Sequence, residues 1–318
     1  DAGELVADGD ASIPDAAAVT IADAAGAQLT LATENHTIGS LAGGGTTGGN
    51  VILNGHTLTT GGNHGYTTFA GVIAGSATGP AQGARTNQGT GHTGEPYAPE
   101  GHRYAPEPAV GSGSLVKTGG GTMTLSGDNL YSGTTTVSQG YLAVGASVED
   151  GVAGPLGQSS SAVILGDANT PGAGSNSSAN VGLLFKVGPG NQTFNVTRGL
   201  DLSGTAIQGR TRIRLQGGAD TDASQLNLTE TITLGGRRYD IVAQHQQQLI
   251  NITGQITGAS TTVYWNGSNQ GIGVVRVAND TNDYTGDNTL SDGTLIVAGD
   301  VSASGPSPIG TGNIRLGD

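Results

Sequence analysis

The chain has 318 residues, with 12 Lys or Arg against 25 Asp or Glu, a formal charge of −13, 58 glycines and no cysteine. An acidic surface argues against nucleic acid and anionic membrane as partners, and the fold does not rely on disulfides. Only 12% of residues are charged and 4% aromatic, yet short alternating runs of Val, Ile, Leu and Thr recur throughout, so a slender ordered fold with a thin core is expected rather than disorder.

Residues 1–15 open with the acidic stretch DAGELVADGDASIP and read as an N-terminal arm or cap. Met123 is the only methionine, so Asp1 is expected to be a processed or engineered terminus, as removal of a signal peptide would leave. From Ala18 to Gly45 the chain reads AVTIADAAGAQLTLATENHTIGSLAGGG, and from Gly49 to Gly62 GNVILNGHTLTTGG. Both alternate with a period of two and break at glycines, which is the signature of short strands joined by tight corners.

Residues 78–113 interrupt this pattern. The stretch has no alternation and repeats Tyr-Ala-Pro-Glu at Tyr97 and Tyr104. It is expected to be a long irregular loop inserted between two rungs. His92, Tyr97, Glu100, His102, Arg103, Tyr104 and Glu107 are its candidate binding residues, because Tyr and Arg anchor interfaces and proline lowers the cost of ordering a loop. The plain alternative is a tolerated surface excursion.

Beyond the insert the chain repeats itself. YSGTTTVSQGYLAVG begins at Tyr131 and YTGDNTLSDGTLIVAG at Tyr284, an offset of 153 (284 minus 131). At that offset Gly133, Val137, Gly140, Leu142 and Val144 meet Gly286, Leu290, Gly293, Leu295 and Val297. The copies lie near 115–167 and 272–318. Upstream, Phe69–Ala77 resembles Ile252–Ser260, with Gly75 opposite Gly258, an offset of 183 (258 minus 75). The offsets differ by 30, the length by which the first copy is longer between its two motifs. Short strands with a corner after each run, stacked coil on coil, give an all-β fold: a right-handed parallel β-helix, one solenoid domain over 16–318. On the order of a dozen coils and a rod of roughly 60 Å follow from the ~4.8 Å strand spacing.

The first copy carries Lys117, Gly119, Gly121, Thr122, Met123, Leu125, Gly127, Asn129, Tyr131, Gly133, Thr135, Val137, Gly140, Leu142 and Val144 in the order K-x-G-x-G-T-[LM]-x-L-x-G-x-[NS]-x-Y-x-G-x-T-x-[VI]-x-x-G-x-L-x-V. This resembles the autotransporter-associated β-strand repeat of bacterial passenger domains. The second copy lacks the lysine and the G-x-G-T and recovers from Tyr284. The resemblance implies a right-handed β-helix, export, and display on or release from the outer membrane of a Gram-negative-type bacterium. It also implies a translocator barrel following in the parent protein. No apolar run here approaches the ~20 residues of a membrane-spanning helix, and GTGNIRLGD stops just after a strand-like run, so a further segment is expected beyond Asp318.

Chemistry is sparse. The six histidines have no nucleophile motif beside them, so no catalytic residues are assigned and no cofactor or metal is expected. Asp220 with Asp222, and Asp280 with Asp283, sit in oxygen-rich turns that either hold calcium or are simply solvated. RTRIRL places Arg210, Arg212 and Arg214 on one strand face, either a carbohydrate- or carboxylate-binding strip or the wet side of a strand. Asn-x-Ser/Thr occurs at Asn35, Asn176, Asn191, Asn195, Asn227, Asn251, Asn266 and Asn279, as the composition alone would produce. Three functions are weighed: a non-catalytic adhesive passenger with a cell-surface or glycan ligand, a self-associating fibre or sheath subunit, and a carbohydrate-active β-helix enzyme.

Overall fold

Residues 3–9, 12–78, 107–170, 180–204, 209–266, 272–300 and 305–317 are described by the computed structural model. Every regular element among them is a β-strand. Apart from Ser76–Thr78 and Glu107–Ala109, which pair with each other antiparallel, the described strands pair in parallel with partners one coil away, and these pairings resolve into three faces.

The first face runs Ala18–Ile21, Ser40–Gly43, Thr67–Phe69, Thr122–Leu125, Gly140–Val144, Val181–Val187 and Arg210–Gly217. It continues through the second halves of Ile232–Ala243 and Ile256–Trp265 to Thr285–Leu290 and Ile314–Leu316. A second face runs from His36–Ile38 through Thr57–Thr60, Ser114–Lys117, Thr135–Val137, Val163–Leu165 and Leu200–Leu202 into the first halves of the same two long strands. The third face begins Glu4–Ala7, Gln28–Leu31, Asn50–Ile52, Ile73–Ala74. It resumes as Thr193–Val196, Gln225–Leu228, Leu249–Ile252, Val274–Val277, Thr294–Val297. Glu4–Ala7, within the stretch expected to be an arm or cap, is thus a paired rung. Along the first face the described strands span roughly 48 Å at about 4.8 Å per step.

Alternation decides which side chains go inside. Leu115, Met123, Leu125, Val137, Leu142 and Val144 are all at most 1% exposed, and one continuous cluster runs from Ala7 to Tyr284. Each buried Leu or Val contributes roughly 1.5–3 kcal/mol, so a thin core still sums along the axis. Two strands, of 12 and 10 residues, are much longer than the short strands expected. Ile232–Ala243 and Ile256–Trp265 turn the corner between two faces without ending. A register shift between Gly235 and Arg238 makes the bend, with Gly236 at φ 52°.

Corners elsewhere depend on the absence of a side chain. A methyl group on Gly71 would lie 2.0 Å from the Gly49 carbonyl oxygen, and one on Gly127 would lie 2.1 Å from that of Gly71. Glycine therefore stacks on glycine through three successive coils. Gly71→Ala is expected to destabilise the fold by about 2–4 kcal/mol, because the clash is with backbone and cannot be relieved by a rotamer change; chemical denaturation reads this directly.

Candidate functional site

The stretch expected as an inserted loop is flanked by a described pair of strands. Ser76–Thr78 pairs antiparallel with Glu107–Ala109, and the Ser76 hydroxyl donates to the Val110 carbonyl at 2.7 Å. His92, Tyr97, Glu100, His102, Arg103 and Tyr104 lie outside the described residues. Glu107 belongs to the stem, opposite Thr78.

A basic surface lies on the outer side of the first face. Strand alternation sends Thr211, Ile213 and Leu215 inward and leaves Arg210, Arg212 and Arg214 outward, as the sequence predicts. Pairing then sets these arginines beside residues from distant parts of the chain. Tyr141 stands opposite Gly182, which stands opposite Arg212, which stands opposite Asp240. Gly182 matters here: a methyl group on it would lie 3.0 Å from the Tyr141 ring, so the ring rests over the bare backbone. Asp240, whose side chain is 0% exposed, receives Arg238 at 2.8 Å, Arg212 at 3.3 Å and Arg210 at 3.8 Å. Arg238 also sits over the Tyr264 ring, 3.5 Å from its centroid. Lys186 reaches across to the Thr124 hydroxyl at 2.9 Å. Burial, and next the adjacent Arg212, lower the Arg214 pKa, with Tyr141 opposing. Tyr66, Gly120, Thr122, Tyr141, Leu184, Lys186, Arg212, Arg214 and Gln216 together line an open groove of about 310 Å³.

The two repeat copies share a set of buried polar contacts. Asn129 Oδ1 accepts the Ile73 N–H at 2.7 Å, and its amide donates to the Pro155 carbonyl at 2.7 Å. Asn282 does the same with Ile256 at 2.6 Å and Pro308 at 2.8 Å. Tyr131 and Tyr284, both 0% exposed, point their hydroxyls at Thr135 (2.8 Å) and Asn288 (2.6 Å). Gly157 and Gly310 admit the ring edges of these tyrosines where a methyl group would not fit. Asn129 is 56 residues from Ile73 and Asn282 is 26 from Ile256, so the same bond is closed with 30 more residues in the first copy. Burial raises both phenols, Tyr131 to about 12, keeping them neutral donors.

Lys117 is the feature the second copy lacks. It points inward, 1% exposed, and its ammonium donates to the carbonyls of Thr118 (2.6 Å), Gly119 (2.7 Å) and Gln139 (3.2 Å). It fastens the corner at Gly119, whose φ is 71°, to that at Gly140, also 71°. Gly121 packs against the Gly65 carbonyl and Gly133 against that of Gly113. Thr122 faces outward, opposite Tyr141.

Residues 115–144 and 270–297 match the family described as Passenger-associated-transport-repeat. The chain is 30% identical over 245 residues to the protein named Adhesin BmaC autotransporter of Brucella suis biovar 1 (strain 1330). No solved structure matches it. The repeat and the relative support an autotransporter passenger domain. The alignment covers 76% of this chain but 6% of the Brucella protein, so the chain corresponds to a small part of that relative's length.

Other candidate groups in the chain have structural partners. Asp222 accepts the Ala219 N–H at 2.8 Å, and Asp280 accepts the Asp300 N–H at 3.1 Å. Asp220 lies 2.7 Å from His245 Nδ1, a pairing between coils that the sequence alone did not suggest. Among the described residues no three His, Asp or Glu side chains gather as a metal site. Asn195, Asn227 and Asn251 form an amide ladder at 2.9 and 3.3 Å, ended by Arg276 at 2.9 Å, so these three Asn-x-Thr sequences serve inter-coil bonding.

Two outcomes test the repeat geometry. Asn129→Ala and Asn282→Ala are each expected to cost about 2–5 kcal/mol by orphaning two buried backbone groups, and to lower denaturation midpoints similarly. Lys117 titrates near 8 in the fold, lowered by burial from 10.5. The native state then binds fewer protons than the unfolded chain between these values, so on this group's account stability rises from pH 8 to 10.5. Lys117→Met is expected to remove that rise, seen by comparing melting temperatures of both proteins across the window.

Proposed function

We propose that this chain is a segment of a right-handed parallel β-helix, a non-catalytic passenger scaffold displayed at the cell surface of a Gram-negative-type bacterium, where it contributes to adhesion. The observation that carries the reading is the passenger repeat, present twice and built with the same buried Asn–backbone and Tyr contacts. The identity to an autotransporter adhesin supplies the adhesive part of the reading. A translocator barrel belonging to the parent protein would place the segment outside the cell. The open ladder of parallel strands suits this role, since each coil stacks on the last without needing the rest of the chain.

Beads coated with the purified chain are expected to attach to cultured host cells more than beads coated with an unrelated acidic protein of the same size. Replacing residues 79–106 by Asn-Gly, a two-residue turn that suits the antiparallel stem, tells whether the inserted loop or the rod carries attachment. Equal attachment of both bead types would overturn the adhesive role, and regular filaments by electron microscopy across concentrations would favour a structural polymer instead.

A further inference from the structure

Between Ile232–Ala243 and Leu249–Ile252 the chain turns from the first face to the third through Gln244, His245, Gln246, Gln247 and Gln248. Three of these side chains hold the turn. Gln248, 0% exposed, accepts the Gln244 and His245 N–H groups at 2.9 and 3.1 Å and donates to the Gly217 carbonyl at 2.7 Å. Gln244 accepts the Gly217 N–H at 3.1 Å, and His245 meets Asp220 at 2.7 Å. The next coil presses on the same base. The Gly273 N–H donates to the Ala243 carbonyl at 3.1 Å, and a methyl group on Gly273 would lie 2.5 Å from the His245 carbonyl oxygen. The base of the turn is thus clamped from both sides, and Gln246 and Gln247 form its tip. Among the described glutamines, these two alone are exposed.

We infer that Gln246 and Gln247 are a modification site, the acyl donors through which a transglutaminase joins this rod to lysine amines of a second protein. The chemistry balances without an oxidant. The enzyme's cysteine thiolate attacks the glutamine Cδ, the C–N bond breaks and ammonia leaves. The acyl group then passes to a lysine Nζ as an isopeptide bond, and the thiolate is restored. A carboxamide reacts this way only when the enzyme can draw the whole side chain into its cleft. A glutamine spent on bonds between coils is withheld from that, whereas one at a turn tip is presented to it. The amine comes from elsewhere, because the chain has two lysines. Lys117 is 1% exposed with its ammonium on three carbonyls, and Lys186 lies on the first face against the Thr124 hydroxyl. Charge selects a lysine-rich partner: the chain carries −13, and the Asp220 side chain beside the turn is 64% exposed.

The inference goes beyond the adhesive reading, since the bond it names is covalent, and it is tested without cells. The purified chain is incubated with tissue transglutaminase, calcium and dansylcadaverine, and the labelled residues are located by mass spectrometry. Label is expected on Gln246 or Gln247, within the tryptic fragment Tyr239–Arg276. The double variant Gln246→Asn, Gln247→Asn is expected to lose that label at an unchanged melting temperature, because both positions are exposed. With polylysine in place of dansylcadaverine, an adduct that survives boiling in detergent is expected, from Lys186→Arg as well as from the parent chain. No label, label confined to other glutamines, or label undiminished in the double variant would each overturn the site. Adducts made only of copies of this chain, and lost in Lys186→Arg, would overturn the assignment to a second protein. Bead attachment without the enzyme reports on the adhesive reading alone, so either inference can fail while the other stands.

Discussion

Everything in this molecule depends on the inter-coil backbone hydrogen bond. Neighbouring coils must approach to strand spacing along their whole circumference, corners included. At the corners that demand excludes Cβ atoms, and the Gly49–Gly71–Gly127 column is the direct result. The high glycine content is therefore a packing requirement. It also explains why so few aromatic residues suffice, since each rung contributes only two or three inward side chains and gains the rest of its contacts from the rungs above and below.

Where corners carry side chains, those side chains replace backbone bonds that the turn cannot make. Asn129 and Asn282 each serve one N–H and one carbonyl on different coils. Lys117 collects three carbonyls at once. Arg198 does similar work, donating to Leu156 at 2.7 Å and to Ser161 at 2.8 and 3.0 Å. Buried polar groups thus act as fasteners between turns, and the desolvation they suffer is offset by saturating carbonyls that would otherwise be orphaned.

Much of this was legible in the sequence because the constraint is local and periodic. The alternation of Met123 and Leu125, or of Leu142 and Val144, directly encodes which side faces in. The repeat offsets of 153 and 183 anticipated an extra 30 residues, and the matched bonds at Asn129 and Asn282 show that same difference. Other features were hidden. Nothing in RTRIRL tells that Tyr141 and Lys186 will lie beside it, because that register depends on the lengths of the intervening corners. The long strand through Gly236 was also not foreseen; a glycine at a bend and one at a strand end look the same in a sequence. Arg237, next to Arg238, turns inward to 2% exposure, and its partner Thr211 at 3.4 Å belongs to another coil.

The stem Ser76–Thr78/Glu107–Ala109 carries a further consequence. Its two strands meet each other antiparallel, while the coil beneath closes through Ile73 and Asn129 as its short counterpart does. The stem is in effect a socket: the matched bond at Ile256 and Asn282 closes with 30 fewer residues, so the length of chain between Thr78 and Glu107 is not set by the ladder.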